Sequence, residues 1–248
     1  MIYPENLHHI HLPSIDSTNN YLKRNYKELS PLFPVLVHAD TQTHGRGRHE
    51  RHWASPKGCG LYISFGFTFK NQHKLGLLPL TTGIAIVEAL GELGDQPLKI
   101  KWPNDILLKK RKVAGILTET IILGDQLTCI TGIGVNVNQK TEDFPPELRN
   151  HATSLQITHG QSFSIEAIKQ MLSKTFFKWV EKLERGDGTA ITKTINRLSA
   201  HSKGERITFH HSAQTIAGTF EGIDENGGLT LQEDGGQHTY FAGEIQME

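Results

Sequence analysis

Leu61-Tyr62-Ile63-Ser64-Phe65-Gly66-Phe67-Thr68-Phe69 alternates without a break. Leu61, Ile63, Phe65, Phe67 and Phe69 fall on one face, and Tyr62, Ser64, Gly66 and Thr68 on the other. A period of two in β-branched and aromatic residues predicts a half-buried strand. Toward the C-terminus, residues 77–93 repeat apolar side chains at helical spacing through Leu80, Ile84, Val87 and Leu90. Strands are then expected at 98–102, 106–108, 113–123 and 127–137, with turns at Arg111-Lys112 and Gly124-Asp125. Toward the N-terminus, strands are expected at 10–15 and 35–39, around a helix over 20–29 capped by Ser17. After Pro145 and Pro146 an irregular stretch precedes an amphipathic helix over 165–183 and another over 191–198. Beyond Gly204 short strands at 207–210, 215–222, 229–232 and 239–242 alternate with Gly-rich turns, the pattern of a small all-β unit. The boundary is placed near Ala200, giving units of 1–200 and 201–248.

Composition narrows the function. The chain has 248 residues, with 26 Lys+Arg against 26 Asp+Glu, 37% hydrophobic and 21% charged. Such a chain is globular and long enough to bury a core without staples. Zero net charge argues against a generic nucleic-acid coat. Cys59 and Cys129 provide neither a disulfide framework nor a zinc cluster. Residues 1–6 lack the cationic and apolar segments of a secretory leader, and no apolar run approaches the ~18 residues of a membrane span. The expected compartment is the cytoplasm.

Five stretches carry chemistry. Residues 42–60 are polar and Gly-rich, a long loop holding Gly45-Arg46-Gly47-Arg48-His49-Glu50-Arg51-His52-Trp53. Its glycines allow close approach to a ligand, and its arginines can grip a phosphate or carboxylate. Taken alone it reads equally as a solvated basic loop. Position 50 is Glu, so no strict G-x-G-x-x-G is present, and no G-x-x-x-x-G-K-[ST] occurs anywhere. Lys101-Trp102-Pro103-Asn104-Asp105 puts oxygen ligands at a strand end, where Mg²⁺-nucleotide contacts occur; an ordinary Asn-Asp turn is the alternative. In Lys112-Val113-Ala114-Gly115-Ile116-Leu117, alternation places Lys112, Ala114 and Ile116 on one face and Gly115 on the other. That lysine reads as a partner for a buried anion or as a surface group beside Arg111. Gly132-Ile133-Gly134-Val135-Asn136 has two glycines inside a strand, which marks close approach of a ligand or a bulge. Ser17-Thr18-Asn19 can cap a helix and still donate to a small polar ring.

In this order, and with Gln42 and Gly243-Glu244-Ile245, these stretches resemble the biotin–protein ligase family from about residue 8 to the C-terminus. The resemblance implies an α+β fold: a mixed β-sheet with helices on one side, related to class II aminoacyl-tRNA synthetases, then a C-terminal SH3-like β-barrel. It implies an ATP-dependent ligase. Biotin and ATP, with Mg²⁺, give biotinyl-5′-AMP, and the biotin then passes to a lysine of a biotin carboxyl carrier protein such as that of acetyl-CoA carboxylase. Matched motif by motif, Ser17, Thr18, Asn19, Gln42, Gly45 and Arg46 are expected on the biotin side, with Gly115, Leu117 and Gly132 as pocket walls. Arg48, Arg51, Trp53, Asn104, Asp105 and Asn136 are expected on the ATP or adenylate side, with Asp105 toward the metal. Lys112 is expected to touch the carboxylate and α-phosphate, with Lys112 and Arg48 as the catalytic pair.

Some family members carry an N-terminal helix-turn-helix domain and repress transcription. Ser17 begins the motifs too early for one, so a DNA partner is not expected; with no long apolar run a membrane is not expected either, and a homodimer is compatible with the sequence. Lipoate–protein ligase, a nucleic-acid-binding protein and a silent biotin-binding module are the rival readings. Among the 14 histidines, His8, His9 and His11 stand apart. A strand would align His9 and His11, as metal ligands or as solvated surface groups. The thiols read as packed or partly exposed.

Overall fold

The computed structural model describes residues 6–211 and 214–246, so the leader reading of residues 1–5 lies outside the described residues. Strand β1 (His8–Leu12) leads to helices α1 (Thr18–Arg24) and α2 (Tyr26–Leu29), then β2 (Val35–Ala39) and β3 (Gly60–Thr68). Helix α3 (Leu78–Gly91) is followed by β4 (Leu98–Lys101), β5 (Asp105–Leu108), β6 (Arg111–Leu123) and β7 (Gln126–Asn136). Helices α4 (Leu155–His159), α5 (Ile165–Glu184) and α6 (Gly188–Leu198) precede β8 (Arg206–His211), β9 (Gln214–Ile223), β10 (Leu229–Glu233), β11 (Gly236–Tyr240) and β12 (Glu244–Ile245).

The first seven strands make one mixed sheet, ordered β1-β2-β3-β7-β6-β5-β4, and the last five a separate antiparallel sheet, ordered β11-β10-β9-β8-β12. Only β1 and β2 run parallel among the described residues. The mixed sheet with helices and the separate C-terminal β unit match the expected class. Among the described residues the C-terminal sheet has β11 and β12 as edges, so no closed ladder is formed.

Strand β3 departs from its half-buried expectation: it is buried on both faces from Gly60 to Phe67. Leu61, Ile63, Phe65 and Phe67 join the large core with α3 and α5, and Phe65 stacks on Phe176 at 4.1 Å. On the other face Ser64 bonds Thr18 and Asn19 of α1, and Gly66 lies under Phe33 and Leu22. Helices therefore cover both sides of the sheet, not one. Polar Tyr62 and Ser64 tolerate burial because each hydroxyl finds a partner, Pro56 O at 3.1 Å for Tyr62.

Ser17 caps α1 as expected, accepting from Asn20 N. The helix over 20–29 is broken, because Asn25 ends α1 and turns its side-chain amide onto Tyr21 O at 2.9 Å. Strand β1 stops at Leu12, and Ile15 makes only an isolated bridge to Gln42. The irregular stretch contains a short helix, α4: Ser154 caps it, accepting from Ile157 N at 3.0 Å, and Gly160 ends it at φ 73°. One helical stretch, Gln72–Gly91, is long and apolar enough to cross a membrane by length and composition, against the expectation of no such run. Most of it is buried: α3 is apolar all round because it is wedged between the sheet, α5 and α6.

One hydrophobic core joins both sheets. Trp102, at the end of β4, packs edge-on to Phe209 at 5.8 Å and donates to Gly227 O at 3.0 Å. Asn196 of α6 bonds the backbone of Ile223 in both directions, at 2.9 and 2.8 Å. The C-terminal sheet is thereby held against the end of the mixed sheet where β4, β5 and the basic loop meet.

Candidate functional site

A cavity of about 530 Å³ opens on the sheet face that carries Tyr62 and Ser64. Two cross-strand rows run along this face, and of them Leu117, Gly132, Gly134, Gly115, Asp105 and Lys101 line the cavity. In one, Ser64, Gly132 and Leu117 stand side by side on β3, β7 and β6. In the other, Tyr62, Gly134, Gly115, Asp105 and Lys101 run across β3, β7, β6, β5 and β4. The glycines are spaces for side chains from above. A Cβ on Gly132 would collide with Asn19 Oδ1, and one on Gly134 would lie 2.5 Å from the Trp53 indole.

The expected placement of Lys112 is corrected here. Regular alternation puts Lys112 and Gly115 on opposite faces. The β5–β6 ladder instead shifts register: Ile106 pairs with Ala114, but Leu107 pairs with Lys112. This bulge at Val113 turns Lys112 onto the face of Gly115 and Asp105. Lys112 Nζ sits 2.6 Å from Asp105 Oδ1 and 5.3 Å over the Trp53 ring.

At the other end of the cavity lies a network of amides and hydroxyls that runs on into ion pairs at Glu119. Gln42 Oε1 accepts from Thr18 N at 2.9 Å and Thr18 Oγ1 at 3.2 Å, while Gln42 Nε2 donates to Ser55 at 3.0 Å. Asn19 Nδ2 donates to Leu117 O at 3.1 Å and to Glu119 Oε2 at 2.9 Å. Glu119 also takes Lys23 at 3.0 Å and Arg46 at 3.2 Å. Burial pushes its pKa up, but bonds from Asn19 and Lys23 and the Arg46 charge hold it below the usual value.

The loop folds into a short hairpin over the cavity. Gly47 N donates to Arg51 O at 2.7 Å, Trp53 N donates to Gly45 O at 2.8 Å, and Arg46 bridges His52. Arg48 donates to Gly243 O at 3.2 Å, and Arg51 forks onto Glu244, with Nη1 to Oε1 at 2.9 Å. Arg51 holds the Glu244 carboxyl below its usual pKa, and the C-terminal sheet supplies His210, Glu244, Ile245 and Gln246 as one wall. At the tip, His49 and Glu50 take φ of 53° and 59°. Side chains there cost about 1 kcal/mol. Glu50→Gly is expected to relieve this, offset in part by the glycine's chain entropy, and to raise Tm by about 2 °C. A thermal melt checks it; a lower Tm would mean that this turn is not held in solution.

The expected site residues converge, with one exception. Ser17, Thr18, Asn19, Gln42, Arg46, Arg48, Arg51 and Trp53 line the cavity from the α1 and loop side, and Asn104, Asp105, Lys112, Gly115, Leu117, Gly132 and Asn136 from the sheet. Gly45 does not line it; it lies at the hairpin base, where a Cβ would collide with Trp53 O. Asn104 and Asn136 are committed to backbone, with Nδ2 on Ile116 O at 2.7 Å and on Thr153 O at 3.0 Å.

Sequence reasoning includes Lys101 in its motif but gives it no role, and it does not single out Glu119 or Ser64. Lys101 is 5% exposed, lines the cavity and has no ion-pair partner within reach among the described residues. Burial pushes its pKa down, against the charges of Asp105 and Glu244. Two signals could have found the charged pair: Lys101 pairs with Asp105 in the hairpin, and Glu119 is a charge inside an apolar strand, in step with Leu117.

This geometry agrees with what comparison with known proteins finds. Residues 11–138 match the model of the Biotin/lipoate A/B protein ligase family. The chain belongs to that family. Residues 204–247 also match the biotin protein ligase C terminal domain. Among curated members, the biotin--[acetyl-CoA-carboxylase] ligase of Paracoccus denitrificans is 32% identical over 244 residues, 94% of this chain and 98% of that protein. The bifunctional ligase/repressor BirA of Bacillus subtilis is 35% identical over 219 residues, 86% of this chain and 66% of that protein, so the chain spans slightly less than two thirds of its length. Among solved members, the biotin protein ligase from Aquifex aeolicus in complex with biotin and ATP superposes with a TM-score of 0.82 at 31% identity, covering 96% of this chain and 97% of the other.

Proposed function

We propose that the chain is a biotin–protein ligase that makes biotinyl-5′-AMP and transfers the biotin to a lysine of a biotin carboxyl carrier domain. The observation that carries this is a single cavity with two chemically different ends. At one end the uncharged side chains of Thr18, Asn19 and Gln42 offer donors and acceptors for a ureido ring, with Arg46 beside them paired to Glu119. The other end gathers Arg48, Arg51, Lys101 and Lys112, which suits a triphosphate. Trp53 Nε1 between them is buried without a hydrogen-bond partner among the described residues, a donor left for a ligand.

The chemistry follows from this arrangement. A biotin carboxylate oxygen attacks the α-phosphorus, the bond to the β-phosphate breaks, and pyrophosphate leaves with the electron pair. Lys112 and Lys101 line the cavity, and in this reading their charges would offset the anion that develops as carboxylate and phosphate meet. The acceptor amine, having lost its proton, then attacks the acyl carbon, and AMP departs with the C–O pair. Asp105 and Glu244 are the carboxylates lining the cavity. That is too few for an all-protein Mg²⁺ cage but adequate for an ion held mainly by phosphates, whose charge it would partly neutralise. We take residues 1–200 as the unit holding both substrates and 201–248 as the unit closing one wall. Both cysteines are free thiols, as suits a reducing cytoplasmic compartment.

Biotin-dependent exchange of labelled pyrophosphate into ATP tests the reading, with lipoate in parallel. Exchange with biotin alone supports it, exchange with lipoate alone moves the substrate to the rival acid, and exchange with neither overturns the enzymatic reading. Arg48 ties the hairpin to Gly243. Arg48→Ala is therefore expected to release adenylate at least tenfold faster, the loss of about 1.4 kcal/mol. Chase of enzyme-bound label reads this, and unchanged retention would count against a closing loop.

A further inference from the structure

We propose that His11, His38 and Asp40 form a binding site for one divalent transition-metal ion of the zinc class, separate from the ligand cavity. The site is built by the parallel pairing of β1 and β2. Its register sets His11 directly beside His38, and Asp40 follows His38 by two residues along β2. The three donor groups lie within 4.8 Å of one another. The two imidazoles stack at 5.2 Å, 20° from parallel, and His11 Nε2 is 2.7 Å from Asp40 Oδ1.

A histidine–aspartate hydrogen bond accounts for two of these residues and leaves the third unexplained. The His38 ring makes no hydrogen bond among the described residues, although it is half-buried beside the pair. Two imidazoles and one carboxylate are the donor set of zinc, nickel, cobalt and copper rather than of magnesium or calcium. Zinc–donor bonds of ~2.0–2.2 Å require donors ~3.4 Å apart, so rotamer adjustment of about 1 Å closes the set. A second cavity of about 410 Å³ borders these residues, lined also by Gly58, Gly60, Glu166 and Lys169. It gives room for water ligands. Lys169, the cation facing the site, is paired with Glu166 at 2.6 Å, which limits its repulsion of an ion.

The site has a structural consequence. Strand β1 is the edge of the sheet and, among the described residues, pairs only with β2. A metal across His11 and His38 would staple that edge, and Asp40 lies two residues before Gln42, which holds Thr18 at the ligand cavity. The inference does not depend on the ligase reading.

The test uses the full chain after chelator treatment, titrated calorimetrically with zinc chloride and followed by the visible absorption of Co²⁺. One equivalent is expected to bind at micromolar affinity or tighter and to raise Tm, with a Co²⁺ spectrum typical of nitrogen and oxygen donors. His11→Ala and Asp40→Asn should each weaken binding at least tenfold. His11 is exposed, so its variant should keep the native circular dichroism. His8→Ala, on the opposite face of β1, should leave binding unchanged. Binding well below one equivalent, or equal weakening in His8→Ala, would overturn the proposal and mark adventitious capture by surface histidines.

Discussion

Lys101→Met is expected to slow biotin-dependent pyrophosphate exchange by about 10²–10³-fold, the usual loss when a preorganised group at a developing charge is removed. The same substitution should make the protein more stable. Lys101 is buried, unpaired among the described residues and at the end of the row, next to Asp105. Its pKa lies below the usual lysine value because burial disfavours the ammonium. An apolar side chain of similar length removes that penalty, and a gain of about 1 kcal/mol, or about 2–4 °C in Tm, is expected. The sign of the pH dependence follows. Between the folded and unfolded pKa values the unfolded chain binds more protons, so wild-type stability rises with pH there. The Tm advantage of Lys101→Met should therefore shrink as pH climbs toward about 10. Exchange assays and melts at two pH values check both halves. A variant that is less stable and fully active would show that Lys101 is held by a partner in solution and plays no part at the phosphate end.

Gly134→Val should open the loop. A Cβ at Gly134 would sit 2.5 Å from the Trp53 indole, and the indole has the Gly115 backbone beneath it as well, 2.9 Å from a Cβ there. The strand cannot yield, because Gly134 is paired on both sides, with Tyr62 and Gly115. The ring must leave, and with it goes the packing that anchors the hairpin from Gly45 to Trp53. Overpacking of this kind costs about 1–3 kcal/mol. At about 2 kcal/mol, exchange activity should fall about 30-fold. Trypsin should cleave after Arg46, Arg48 or Arg51 at a correspondingly higher rate. Gly91→Ala is the matched control, since a methyl there meets nothing within 4 Å. Unchanged cleavage in Gly134→Val would mean that Trp53 does not hold the loop.

Much of this site is legible in the chain's local patterns. Residue types that are costly to place without a purpose stand out: arginines between glycines, glycines inside a strand, and a polar triplet at a helix start. Local pattern does not give parity or partnership. Alternation assigns Lys112 to the wrong face because a bulge adds one residue and inverts it, and nothing in Arg111-Lys112-Val113 announces the bulge. The burial of Lys101 cannot be read from its place at a strand end, because it depends on what packs over that end of the sheet. Alternation reports one buried face of β3 and cannot see α1 laid over the other, which is why Ser64 reads as half-exposed.

Periodicity, capping and glycine placement are local physical constraints. They suffice for most element types and for the division into a large mixed unit and a small C-terminal β unit; the residues expected around the cavity come from the resemblance of ordered motifs to a family. Which of those residues face one another is a matter of tertiary packing. Strand register, the β6 bulge and the docking of Arg51 on Glu244 set distances between groups far apart in the chain. Those distances decide whether a charge is paired, buried or free to act.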